Sequence, residues 1–123
     1  MRYLGETEQG EGITLEVSGG RISEVQSLVR VLCIEFGGSQ QTEFEVQPFL
    51  PPDSFQIEED GHFSGMEKVE GTTYILSGEV QGSKASGSLG LSYTKLKYDP
   101  ITNTSSQFGC SAEVEWNAAT SEA

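Results

Sequence analysis

The chain has 123 residues and a mass of 13.3 kDa, enough for one domain with its own core and no need of stapling. Nineteen acidic residues against seven scattered basic ones give a net charge of −12, which argues against nucleic-acid backbone or an anionic membrane as partner. No run reaches the roughly 18 apolar residues of a membrane span, and fifteen glycines without long helical periodicity point to an all-β chain.

The opening MRYLGETEQG lacks the apolar stretch of a secretory leader, so no signal peptide is expected within this chain. An exported native protein would have lost its leader, or residues 1–123 would be a single domain excised from it. Strands are predicted near 2–8, 12–18, 21–35, 42–48, 54–59, 62–67, 72–81, 84–95 and 107–118. Turns fall at Gly10–Gly12, Ser18-Gly19-Gly20, Gly37-Gly38, Pro51-Pro52-Asp53, Asp60-Gly61 and Gly82-Ser83, and TSEA reads as a frayed tail. About nine short strands so punctuated predict an antiparallel β-sandwich or closed barrel linked mainly by hairpins.

The 21–35 strand is apolar on both parities: Val25, Val29, Val31 and Cys33 on one, Leu28, Leu32 and Ile34 on the other. Such a strand is expected to be covered on both faces from within the chain. Left open, its second face would be an association site. At the Asp60-Gly61 turn, a three-residue loop Glu59-Asp60-Gly61 with Gly61 left-handed brings Phe55, Ile57 and Phe63 together. A two-residue loop would split them between faces.

Residues 75–93, ILSGEVQGSKASGSLGLSY, invite comparison with a phosphate loop. The comparison fails by letter. Gly78 and Gly82 enclose too few residues, Ser83 separates Gly82 from Lys84, and Ala85 stands where a Mg²⁺-binding hydroxyl belongs. A type II′ turn at Gly82-Ser83 instead pairs Gln81 with Lys84, Leu76 with Leu89 and Tyr74 with Leu91. Gly78 then falls opposite Gly87, leaving a trough for a large neighbour to cover.

Cys33 and Cys110, the only cysteines, both lie on the apolar parity of their strands. Inward cysteines on strands far apart in sequence are either two buried free thiols or, the expectation preferred here, a disulfide, which implies an oxidising compartment, extracellular or at the cell surface. With one histidine they make no zinc site.

Groups capable of chemistry are few. His62, beside a turn, is expected to be exposed. Glu43 with Glu45, and Glu113 with Glu115, are same-face carboxylate pairs of the kind glycosidases use. Both stand on the parity opposite Phe44 and Val46, or Val114 and Trp116, so both are expected to face solvent. Were their strands neighbours, the pairs would repel. Ca²⁺ is a weak candidate at IEEDG or YDPITN, neither of which has EF-hand spacing, and no other cofactor is expected. Asn103-Thr104-Ser105 fits the glycosylation pattern. Tyr3, Phe36, Phe49 and Tyr98 lie near strand ends, placed either to stack on a sugar or to plug the fold.

YLGETEQGEGITLEVSGGRISEV, a mid-chain Cys and a closing C-S-A-E-V-E-W together resemble uncharacterised secreted all-β domains of bacteria. The resemblance spans most of the chain and implies an exported, disulfide-linked β domain with no activity to transfer. The expectation is a non-catalytic extracellular binding module for a glycan or a surface partner. One alternative is a structural, self-assembling surface subunit; another is a small glycoside hydrolase using paired glutamates. An exposed aromatic platform would favour the first, an open 28–34 face the second, and a cleft holding two carboxylates the third.

Overall fold

The computed structural model describes residues 1–37, 41–51 and 54–121. Its strands are β1 (Arg2–Thr7), β2 (Gly12–Ser18), β3 (Arg21–Glu35), β4 (Thr42–Phe49), β5 (Phe55–Gln56), β6 (His62–Val69), β7 (Thr72–Gln81), β8 (Lys84–Asp99) and β9 (Thr104–Ala119). All nine belong to one antiparallel sheet in the order β4-β3-β2-β1-β9-β8-β7-β6, with β5 paired to β3. Neither the described residues nor their hydropathy provide a helix able to cross a membrane.

The sheet curls because β3 is too long for one neighbour. Its first half pairs β2, from Arg21↔Ser18 to Ser27↔Ile13, while residues 32–35 pair β9. The β1–β2 hairpin fills the gap, β1 pairing β9 at its far end. The circuit β3–β2–β1–β9 therefore closes on itself and buries Leu15, Val25, Val29, Val31, Val114 and Trp116. Burying such side chains stabilises each by about 1.5–3 kcal/mol.

The β7–β8 hairpin has the expected register throughout, including Gln81↔Lys84, Gly78↔Gly87, Leu76↔Leu89 and Tyr74↔Leu91. Gly82 takes φ 61°, which a type II′ turn demands and side-chain-bearing residues resist. The glycine trough is filled from both sides. Phe63 stands opposite Gly78, and Trp116 opposite Gly87. With no side chains between them, the two rings reach over the glycines and stack at 6.2 Å between centroids.

The three-residue loop at 59–61 also forms, with Gly61 at φ 92° and the Glu58 N–H donating to the His62 carbonyl at 2.8 Å. Phe55 and Phe63 are buried, with Ile57 packed against them. Strand β5 is shorter than the expected 54–59, spanning only Phe55–Gln56, although the Ile57 N–H still donates to the Gly20 carbonyl at 2.9 Å, one step along the same register. Strands β8 and β9 run longer than expected, to Asp99 and from Thr104, because they continue to pair with each other beyond the core. Gly38, Pro52-Asp53 and the last two residues of the tail lie outside the described residues.

One expectation is overturned on β3. Leu28, Leu32 and Ile34 are not covered from within the chain, and Leu28 remains 46% exposed. Nothing among the described strands packs on that face, because the sheet curls toward the other one, where Val29, Val31 and Cys33 are wholly buried.

Candidate functional site

Strand β4 carries the second correction. Glu43 and Glu45 turn to the inner face and are half-buried, whereas Phe44 and Val46 face solvent, at 68% and 59% exposure. The cause is the pairing with β3, where Glu43 lies opposite Cys33 and Glu45 opposite Val31. Residues directly opposite share a face, so β4 inherits the inward parity of β3. Phe49, on the parity of the glutamates, is fully buried and meets Tyr74 edge-on at 5.5 Å.

The signal missed in the sequence is Pro48. The Glu35 N–H donates to the Gln41 carbonyl at 2.9 Å, which fixes the bonded phase of the β3–β4 ladder. In that phase Glu43, Glu45 and Gln47 bond to β3, while the backbone groups of Thr42, Phe44, Val46 and Pro48 point to the open edge. Proline has no N–H to give a neighbouring strand, so it belongs on that edge. Alternation then sends Phe44 and Val46 outward with it.

The inward glutamates meet strand β8. Lys95 Nζ sits between them, bonded to Glu43 Oε1 and, at 2.5 Å, to Glu45 Oε2. Lys97 Nζ reaches Glu43 Oε2 at 3.1 Å, and the Tyr93 hydroxyl donates to Glu45 Oε1. Lys95 also stands 5.4 Å from the centre of the Phe108 ring. Hydrogen bonds from Lys95 hold both carboxyls below the ordinary glutamate range, and those carboxylates in turn raise the Lys95 ammonium. Burial, reinforced by Glu45, pushes the Tyr93 phenol up to about 12. A glycosidase pair needs one carboxyl kept protonated as general acid. Here Lys95, with Lys97 on Glu43 and Tyr93 on Glu45, favours the ionised form of both.

Cys33 and Cys110 form a disulfide across the directly paired strands β3 and β9, in the core behind Glu45. The Cys33 sulfur approaches Glu45 Oε1 to 3.8 Å, a packing contact, since a disulfide sulfur has no proton to donate. Cys33, Cys110 and Glu45 are close enough together to hold a metal ion, but the sulfurs bind each other instead of offering thiolates. The acidic residues of IEEDG and YDPITN form no such group among the described residues.

The other candidates separate cleanly. Glu113 and Glu115 face solvent as expected, and β4 and β9 are not neighbours, so the two carboxylate pairs do not repel. His62 is exposed between Asp60 and Glu79, and Lys84 is exposed beside its turn. Tyr3 and Phe49 plug the interior, the Tyr3 hydroxyl donating to the Gly82 carbonyl at 2.7 Å. Phe36 and Tyr98 are exposed, and Tyr98 donates to Asn103 in the β8–β9 turn. Phe36 lies over Gly109, where any Cβ would meet its ring.

No protein-family model, no curated protein and no solved structure matches this chain. The resemblance to secreted bacterial domains thus lends no residue its role.

Proposed function

We propose that this chain is a non-catalytic interaction module, working outside the cytoplasm, whose working surface is the outer face of β3 and β4. The observation that carries the reading is the exposed outer face of β3 and β4, where Leu32 and Phe44 are cross-strand partners, Leu28, Ile34 and Val46 lie about them, and Arg30, opposite Val46, is the one charge among them. Exposed apolar side chains gathered on one face of an otherwise acidic molecule mark a place where another surface docks. The buried disulfide supports an oxidising compartment. Ion-pairing of both inward glutamates speaks against the hydrolase alternative.

Nile red offered to the folded protein at sub-micromolar concentration tests this reading. Fluorescence should rise, and a Leu32→Ser, Phe44→Ser variant with an unchanged circular dichroism spectrum should lose most of the rise. A folded wild-type protein that leaves the dye dark would defeat the proposal.

A glycan partner is the second reading, favoured by Phe36. Its ring borders a depression of about 500 Å³ that the side chains of Thr73, Ser92, Thr94 and Ser111 also line. A neutral oligosaccharide that shifts the amide resonances of these residues, and fails to do so in Phe36→Ala, would support it.

A further inference from the structure

Resting on that interaction reading, we propose that the partner at the β4 edge is a second copy of this chain, with the two β4 strands pairing antiparallel about Phe44. Strand β4 ends the sheet order, and among the described residues only β3 bonds to its backbone. The ladder phase leaves the N–H and C=O groups of Thr42, Phe44 and Val46 pointing to the open edge. That set is self-complementary. With Phe44 opposite Phe44 of the other copy, Thr42 falls opposite Val46, and each facing pair exchanges both of its bonds. A twofold interface requires this self-matching of one patch. Pro48, which has no N–H, lies just beyond the ladder, so its missing donor costs the pairing nothing.

The side chains agree with the backbone. On the outer face the two Phe44 rings meet, flanked by Leu32 of each copy, and the apolar side chains of both copies adjoin, with Arg30 of each at the margin opposite Val46. On the inner face Glu43 of one copy faces Glu45 of the other, an arrangement that bare carboxylates would forbid. Lys95 and Lys97 already neutralise them.

Charge points to a copy rather than to a cationic partner. Arg30, Lys95 and Lys97 surround β4, three of the seven basic residues in the chain, against Glu35, Glu43 and Glu45. With Asp99 beside Lys97 the patch is one charge short of balance on a molecule of charge −12, so it offers a basic partner little attraction and a like copy little local repulsion. The remaining acidic surfaces repel over a distance that salt screens. Dimerisation should therefore strengthen with ionic strength, whereas a complex held by opposite charges would weaken. The sheet's other terminal strand is less suited, because its exposed parity carries His62 and Lys68, and edge lysines discourage strand addition.

Sedimentation velocity from 1 μM to about 500 μM, in low and high NaCl, tests the assembly, and hydrogen exchange locates it. A dimer should appear at the higher concentrations and tighten at least severalfold from about 50 to 500 mM NaCl. Exchange at the Phe44 and Val46 amides should slow about tenfold or more as the dimer fills, while the Met66 amide on the opposite edge stays unchanged. Val46→Lys and Phe44→Pro should each abolish the dimer; a Met66→Lys control should not. Lys95→Met should weaken it by leaving the facing carboxylates of each copy with one ammonium, Lys97, in place of two. A monomer at every concentration and salt would overturn the proposal, as would a dimer indifferent to Val46→Lys or one that leaves the Phe44 amide unprotected. A monomer that still binds Nile red would end the dimer while sparing the interaction module.

Discussion

Glu43-Phe44-Glu45-Val46 and Glu113-Val114-Glu115-Trp116 are nearly the same tetrapeptide, alternating glutamate with large apolar residues, yet the fold uses them in opposite ways. In β9 the apolar parity is buried, and the glutamates face water. In β4 the glutamates turn inward to Lys95, and Phe44 and Val46 are left outside. Both strands obey a period of two; they differ in what lies opposite. Strand β9 is central, hemmed by β8 on one edge and by β1 and β3 on the other, so its inner parity must fill the core. Strand β4 is an edge strand, and its parity follows from β3, from buried Phe49 and from the edge-facing Pro48. Alternation alone thus fixes the spacing of the faces, while the neighbours decide which face is inside.

The largest effect in this comparison should come from the bond that anchors β3, and through it β4, to β9. Replacing Cys33 and Cys110 by serine removes a cross-link spanning 77 residues, which in the chain-entropy account costs about 4–5 kcal/mol. Urea unfolding of the oxidised and substituted proteins measures it, and a loss under about 1 kcal/mol would mean the β3–β9 contact holds without help.

Next comes the contrast between the two motifs themselves. Trp116→Ala should cost about 3–5 kcal/mol by emptying the space over the glycine trough. Phe44→Ala, made in dilute monomer, should stay within about 0.5 kcal/mol. Denaturant midpoints for the two variants decide this, and equal losses would mean that β4 buries Phe44 after all.

The carboxylates separate the strands by pH. Because the Glu43 and Glu45 pKa values are lowered on folding, their stabilisation is present above the unfolded glutamate value. It is lost as pH falls below roughly 4.5 and through the folded values. Lys95→Met removes the main cause of that lowering, so stability at neutral pH should fall and the acid-side dependence should flatten. At alkaline pH the raised Lys95 and Tyr93 give the opposite slope. Their contribution is present below the unfolded values near 10 and is lost as pH climbs through the folded ones. Thermal melts from pH 2 to 11 for wild type and Lys95→Met display both limbs.

The smallest effect should be at Glu113 and Glu115. Changing either to glutamine should move stability at neutral pH by no more than about 0.5 kcal/mol in urea unfolding. A larger loss would show that the β9 carboxylates carry the fold as those in β4 do.

What the sequence determined by itself is what neighbouring residues settle between them. The β7–β8 register is written in Gly82, which accepts φ 61°, and in apolar residues that match across one tight turn. Gly78 and Gly87 announced their trough, and Phe63 and Trp116 fill it. The inward cysteines, the outward Glu113 and Glu115 and the loop at Gly61 were legible for the same reason. Tertiary structure alone decided the rest. Lys95 lies some fifty residues from the glutamates it neutralises, and no local pattern connects them. The division of β3 between β2 and β9 depends on where the β1–β2 hairpin stops, and the exposure of Leu28, Leu32 and Ile34 on the direction in which the sheet curls. A half-period of sequence can place Phe44 on either face at equal local cost, so only burial of Phe49, the edge position of Pro48 and the ion pairs across the fold could break the tie.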